Sequence, residues 1–123
     1  MVDTRDFELN VRPGSVADST VIAAKGPMVL EHLFRFQDAW RNDQSAILVF
    51  DLTEVSYMDS SMIGSLVNAH VHRSRNGRKL ALAAVPDRVK QFLSVTNVDK
   101  LFQFYATVSE AEAALTHDSV QAR

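Results

Sequence analysis

The chain has 123 residues, a length typical of a single domain, and its 46% hydrophobic content is ample for a core. Its formal net charge of −2 argues against a dedicated nucleic-acid-binding protein, and the absence of cysteine excludes disulfides, thiolate metal sites and cysteine nucleophiles. Because no apolar run reaches the roughly 20 residues of a membrane span and residues 1–6 do not resemble a secretory signal, we expect a cytoplasmic protein without membrane contact.

Two strands and a helix are predicted in the first third of the chain. Residues 7–11 alternate apolar and polar side chains, as a half-buried edge strand does, and Pro13-Gly14 ends this strand. Residues 20–24 form a second strand, which Gly26-Pro27 is expected to close. A helix follows, with apolar residues at roughly helical spacing: Leu30, Leu33, Phe34, Phe36 and Trp40.

The later elements alternate between strand and helix. The continuous apolar residues 46–52 are typical of a strand covered on both faces. A second helix ends just before Gly77, and its predicted inward stripe is Ile63, Leu66, Val67 and Val71. The chain then continues with a buried strand over residues 80–85 and a third helix over residues 86–93. A short strand over residues 102–105 and a last helix over residues 109–115 complete it.

This order of elements predicts an α/β domain. Four β–α alternations after one leading strand give a mixed, mostly parallel five-stranded sheet with about four helices. We assign residues 1–116 to this domain and residues 117–123 to a polar C-terminal tail. Because sites in such sheets lie at the carboxyl ends of strands, we expect residues 51–61 to form a loop that carries the functional site.

Asp59, Ser60 and Ser61 form the most informative motif, since they stand where the second helix begins. A helix N-terminus carries unpaired N–H groups and the positive end of the helix dipole, so it favours negative charge. A phosphoryl group on either serine would therefore be well tolerated there. Aspartate and serine are also the best N-caps, and local composition alone favours that simpler explanation.

The sequence does not support an enzyme. A serine nucleophile needs a base, normally a histidine within reach, and the Gly-x-Ser-x-Gly elbow is absent. His70 and His72 are two positions apart on different sides of a helix, so they cannot chelate one metal together. The glycines are too scattered for a phosphate-binding loop. We predict no catalytic residue, no metal site and no cofactor.

A basic cluster follows at the end of the second helix: Arg73, Arg75, Arg78 and Lys79. One interpretation is a contact patch for phosphate or an acidic partner. The other is that cations gather at a helix C-terminus because the dipole favours them there, and this second interpretation is preferred.

Residues 47–101 resemble the STAS domain of bacterial anti-sigma factor antagonists. The resemblance rests on a buried strand ending at Asp51-Leu52, the segment 55–61 with its Met-Asp-Ser-Ser core, and Gly64. Further matching residues follow the second helix: Gly77, Pro86, Val89, Phe92, Leu93 and Leu101-Phe102. The order and spacing of elements also match over residues 7–115, so the resemblance implies a single STAS-like domain.

The resemblance implies a partner switch in the control of transcription. In that family the unmodified antagonist binds an anti-sigma factor that is a serine kinase, which releases the sigma factor. The kinase phosphorylates the serine after the motif aspartate, Ser60 here, and a cognate phosphatase resets the switch. Residues expected to bind the partner or support the site are Asp59, Ser61, Met58, Met62, Gly64 and Met28. We expect a monomer or weak homodimer that binds no nucleic acid.

Two departures from the family pattern keep other functions open. The family commonly has glycine in place of Met62, and the family's acidic residue before the first helix is missing from residues 26–29. Met28, Val29 and Met62 are expected to be exposed, which favours an unphosphorylated STAS scaffold subunit of a signalling assembly or transport ATPase. A third alternative is a module that binds a small ligand such as a nucleotide or lipid.

Overall fold

A computed structural model of the protein describes residues 6–121. Its strands are β1 Glu8–Pro13, β2 Ser19–Met28, β3 Ile47–Met58, β4 Lys79–Ala83 and β5 Phe104–Tyr105. Its α-helices are α1 Leu33–Arg41, α2 Ser60–Arg75, α3 Asp87–Val95 and α4 Val108–Gln121. Short 3-10 turns, Leu30–His32 and Asp99–Leu101, precede α1 and β5.

The strands lie in the sheet in the same order as in the chain, β1-β2-β3-β4-β5. β1 pairs antiparallel with β2, and the other neighbouring strands pair in parallel. The predicted α/β fold, with a mixed, mostly parallel five-stranded sheet and about four helices, is therefore confirmed. Within residues 6–121, no helix combines the length and apolar character that a membrane span requires.

Both faces of β3 are buried, as the continuous apolar run predicted. Leu48 and Phe50 pack in a core cluster that includes residues of α1, α2 and α3. Val49 points to the opposite face, where it packs with Ala111 and Leu115 of α4. The period-two alternation of a strand thus separates two apolar layers, with three helices on one face and α4 on the other.

β2 and β3 extend further than predicted. β2 continues past Gly26-Pro27 to Met28, which pairs with Met58 at the end of β3. Two register shifts in the β2–β3 ladder accommodate the irregular residues of β2, so neither the glycine nor the proline ends the strand. The expected loop over residues 51–61 is therefore wrong, because only Asp59 separates β3 from α2.

Arg73 lies inside the protein and is only 1% exposed. Its guanidinium donates hydrogen bonds to Asp43 Oδ2 at 3.0 Å and to the carbonyl oxygens of Ser45 and Lys79 at 2.7 and 3.0 Å. Burial lowers the pKa of Arg73, and the neighbouring Asp43 carboxylate opposes that effect. Arg73 therefore joins the end of α2 to the segments that begin β3 and β4, and the contact-patch interpretation is wrong for this residue.

α4 is anchored to the turn between β1 and β2. The buried Glu112 carboxylate accepts hydrogen bonds from the backbone N–H and the hydroxyl of Ser15, both at 2.7 Å. The helix continues to Gln121, beyond its predicted end at residue 115 and into the segment assigned to the polar tail. The domain boundary at residue 116 stays a prediction.

Candidate functional site

Asp59 is the junction between β3 and α2. Its backbone is extended, with φ −99° and ψ 176°, and the helix begins at the next residue, Ser60. The Asp59 N–H donates to the carbonyl oxygen of Met28 at 3.0 Å, which continues the β2–β3 pairing by one more bond. The start of α2 therefore lies at the carboxyl ends of two parallel strands, where such folds place their sites.

The Asp59 carboxylate satisfies three donors. Oδ1 accepts the N–H of Met62 at 3.2 Å and the hydroxyl of Ser61 at 2.6 Å. Oδ2 accepts the N–H of Leu30 at 3.0 Å. Asp59 is thus the N-cap of α2 and also fixes the 3-10 turn that leads into α1.

These contacts determine the charge of the site. Burial raises the pKa of Asp59, but the hydrogen bonds from the Ser61 hydroxyl, the Met62 N–H and the Leu30 N–H together outweigh burial and hold the pKa below its ordinary value. The carboxylate is therefore ionised at neutral pH. The N-terminus of α2 already carries one negative charge.

The two serines of the motif differ in their engagement. The Ser61 hydroxyl is half-buried and occupied by Asp59. Ser60 is exposed at the first position of α2, and its hydroxyl has no hydrogen-bond partner among the described residues. The structure thus separates a structural serine from an accessible one. The role of Ser60 as phosphoacceptor stays a prediction.

The methionines of the predicted site face inward. Met28 and Met62 are 0% exposed and Met58 is equally buried, all within the main core cluster. Val29 is buried as well. The expectation that Met28, Val29 and Met62 form an exposed apolar rim is wrong, because the third position of α2 points towards the sheet. Met62 therefore adds no bulk to the surface around Ser60.

Gly64 lies on the opposite, exposed side of α2. A Cβ at this position would meet no neighbouring atom within 4 Å. The fold does not require glycine here, and its helical backbone is open to solvent one turn after Ser60. The structure brings Ser60 and Gly64 together on one surface, with Asp59 and Ser61 at its edge.

Several apolar side chains near the site were missed by the sequence interpretation. Leu30 and Phe34, two of the apolar residues whose spacing predicted the first helix, are exposed, as is Tyr57 on β3. Leu33, Phe36 and Trp40, spaced by three and four, form the inward stripe instead, and that spacing was the available signal.

A groove of about 330 Å³ lies between β3 and α3, lined by Tyr57, Met58, Arg88, Val89, Gln91, Phe92 and Val95.

The described histidines pack against aromatic rings. His32 stacks on Phe7 with ring centroids 4.6 Å apart. The ring centroids of His72 and Trp40 are 5.7 Å apart. Within residues 6–121 no group of three or more histidine and carboxylate side chains could hold a metal ion. The rings of these histidines therefore contribute to packing.

Comparisons with known proteins agree on one family. The family model of the STAS domain matches residues 11–111. A Thermotoga neapolitana protein, named as a candidate anti-sigma factor antagonist, is 35% identical over 83 residues, which cover 65% of this chain and 73% of that protein.

Solved structures share the fold. That of an anti-sigma factor antagonist from Mycobacterium paratuberculosis has a TM-score of 0.82 at 17% identity and covers 94% of this chain and 99% of its own. The STAS domain of a SulP transporter from Vibrio cholerae has a TM-score of 0.68 at 25% identity, covering 89% of each chain. The same fold thus occurs in an antagonist and in a transporter domain.

Proposed function

Because this chain belongs to the STAS domain family, we propose that it is an anti-sigma factor antagonist whose binding is switched by phosphorylation of Ser60. The unmodified protein binds an anti-sigma factor with serine kinase activity. Phosphorylation releases it, and a phosphatase restores the binding form. The chain is a substrate and a binding protein rather than an enzyme, and it acts in the cytoplasm.

The observation that carries this proposal is the contrast between Ser60 and Ser61. Ser60 is exposed at the first position of α2 with an unengaged hydroxyl, whereas the Ser61 hydroxyl donates to Asp59 at 2.6 Å. A kinase can reach Ser60 without unfolding the helix. Access to the Ser61 hydroxyl would first require breaking its hydrogen bond to the capping carboxylate.

The electrostatics of the site suit a switch. A phosphoserine adds about −1.5 to −2 charge, which the N–H groups and dipole at a helix N-terminus favour. Asp59 is already ionised there, and like charges repel. We expect these opposing effects to leave the fold intact while placing a concentrated negative charge on the surface. A partner surface built around a neutral hydroxyl would then bind poorly.

The test is phosphorylation by candidate partners. The purified protein is incubated with ATP and each serine-kinase anti-sigma factor encoded in the same genome, and intact mass is measured. We expect a gain of one phosphoryl group in the wild type and in Ser61→Ala, and none in Ser60→Ala. A gain that persists in Ser60→Ala, or no gain with any of these kinases, refutes the proposal.

Binding provides the second half of the test. Binding to the kinase is measured by calorimetry in the presence of a non-hydrolysable nucleotide, which prevents phosphorylation. The unmodified protein should bind, and Ser60→Glu should bind much more weakly. Ser60→Ala is the matched control, because it removes the hydroxyl without adding charge. Equal binding of all three proteins would contradict a charge-based release.

A second candidate is an unswitched STAS subunit of a signalling assembly or transporter. The observation that favours it is the likeness to the SulP transporter domain. The exposed methionine rim that had also supported it is absent, because Met28 and Met62 are buried. A stable complex whose affinity does not respond to ATP or to Ser60→Glu would favour this function over the switch.

A further inference from the structure

Two large apolar side chains project into solvent from the segment that a hydrogen bond joins to Asp59. Leu30 is 63% exposed and Phe34 is 78% exposed, whereas Phe36 and Trp40 of the same helix are buried. Leu30 and Phe34 are four positions apart across the junction of the 3-10 turn with α1, and both face away from the core. Large exposed apolar surface that is rimmed by polar residues marks protein contact surfaces.

Asp59 connects this pair to Ser60. Its Oδ2 accepts the Leu30 N–H at 3.0 Å, and its own N–H donates to the Met28 carbonyl at 3.0 Å. Its Oδ1 caps the helix that begins at Ser60. The position of Leu30 relative to Ser60 is thus set by hydrogen bonds that meet at one residue.

The geometry points to Leu30 and Phe34 as the apolar half of the surface that binds the partner of Ser60, with Asp59 as the positioning residue that holds both halves in register. This inference rests on the proposed function, and the occupant is therefore the same anti-sigma factor. Because both side chains project rather than line a cavity, the partner supplies an apolar pocket for them beside its neutral contact with the Ser60 hydroxyl. Burial of such an aromatic side chain is a common source of interface affinity.

The first experiment takes the anti-sigma factor that binds the wild type and measures its affinity for the wild type and for each variant. We expect Phe34→Ala and Leu30→Ala each to weaken binding by about tenfold or more, the usual effect of removing an interface anchor. Val11→Ala is the control, because Val11 is also an exposed apolar residue, at 55%, but lies on the edge strand β1. It should change the affinity by less than about twofold.

The second experiment tests the positioning role of Asp59. Asparagine is as good an N-cap as aspartate, but its amide has one acceptor oxygen and cannot serve every donor that the carboxylate serves. In Asp59→Asn, either the Leu30 N–H loses its acceptor or the cap of α2 is weakened, so Leu30 and Ser60 are no longer held in register. In that background, Phe34→Ala should weaken binding of the anti-sigma factor by only about threefold or less. Strictly additive effects of the two substitutions would overturn the positioning role.

The outcomes separate this inference from the proposed function. If the wild type binds none of the anti-sigma factors, the proposed function fails and this inference fails with it. If the wild type binds and Ser60→Glu releases it, but Phe34→Ala and Leu30→Ala bind like the wild type, this inference alone is overturned. Sedimentation that shows a wild-type dimer dissociated by Phe34→Ala would assign the pair to a second copy of the chain and also overturn it.

Discussion

Substitution of Asp59 by alanine removes the residue on which the site depends. The substitution deletes an N-cap, which contributes about 0.5–2 kcal/mol, and a charge-assisted hydrogen bond to the Leu30 N–H. Because Leu30 and Ser60 are exposed, water partly replaces the lost contacts. We therefore expect Asp59→Ala to lower the free energy of unfolding by about 2 kcal/mol at pH 7, a substantial part of the stability of a small domain.

The stability lost in Asp59→Ala should depend on pH in a defined direction. The pKa of Asp59 is lower in the folded protein than in the unfolded chain. The stabilisation from its ionised form is therefore complete above the unfolded pKa of about 3.9 and is lost as the pH falls through the folded pKa. The stability difference between wild type and Asp59→Ala should accordingly narrow once the pH drops below about 4.

Urea denaturation monitored by circular dichroism, at pH 7 and at pH 3, measures both quantities. Asp59→Asn is the matched control, because it keeps a capping side chain but loses the charge and one of the two acceptor oxygens. The free energy of unfolding that it loses at pH 7 should therefore be smaller than that lost in Asp59→Ala. The reasoning is refuted if Asp59→Ala loses less than about 0.5 kcal/mol at pH 7, or if the difference from wild type is the same at both pH values.

Four other substitutions, in two matched pairs, have expected outcomes in the same denaturation assay. Arg73→Met removes the cationic partner of Asp43, whose side chain is 10% exposed, and should lower the free energy of unfolding by about 3 kcal/mol. The same substitution at the exposed Arg75 should change it by less than about 0.5 kcal/mol, and a similarly small change in both variants would contradict the ion pair of Arg73 and Asp43. Gly64→Ala should gain up to about 1 kcal/mol, since its Cβ enters open space in a helix, while Gly26→Ala should lose stability, since Gly26 has φ +98°. Equal signs for the two glycine substitutions would refute this account.

The sequence predicted the architecture where its patterns were regular. The run 46–52 had to be buried on both sides, because alternate residues of a strand point to opposite faces, and the structure confirms this. The extension of β2 was not predictable from local rules. Gly26-Pro27 normally ends a strand, but here pairing with the far end of β3 and two register shifts override that preference.

The predicted inward stripe of α2 was correct for Ile63 and Leu66, which are buried, and for Val67, which packs against the core, but it was incomplete. The predicted stripe began at Ile63 and included Val71, which is exposed. The buried face of α2 also includes Met62 and Arg73, which lie about three turns apart on the same side of the helix. A charged residue at the end of that stripe hid the pattern, since an arginine is not expected inside a core unless a partner such as Asp43 neutralises it.

The cap at the start of α2 was predictable from the sequence, but its long-range contacts were not. Aspartate and serine before an apolar helix indicate a cap, and the family resemblance singled out Ser60. The hydrogen bond from Leu30 to Asp59 joins residues 29 positions apart, so no local pattern could indicate it. The exposure of Phe34 likewise depends on how α1 packs against the sheet.

The attachment of α4 sets the smallest fragment that can be studied. The family match ends at residue 111, yet Glu112 holds the turn at Ser15 and Leu115 covers the second face of the sheet. A fragment trimmed to the matched residues would leave Val49 uncovered and the turn untethered. Partner-binding experiments on such a fragment would report on a damaged sheet, so any shortened version of this protein should extend beyond Leu115.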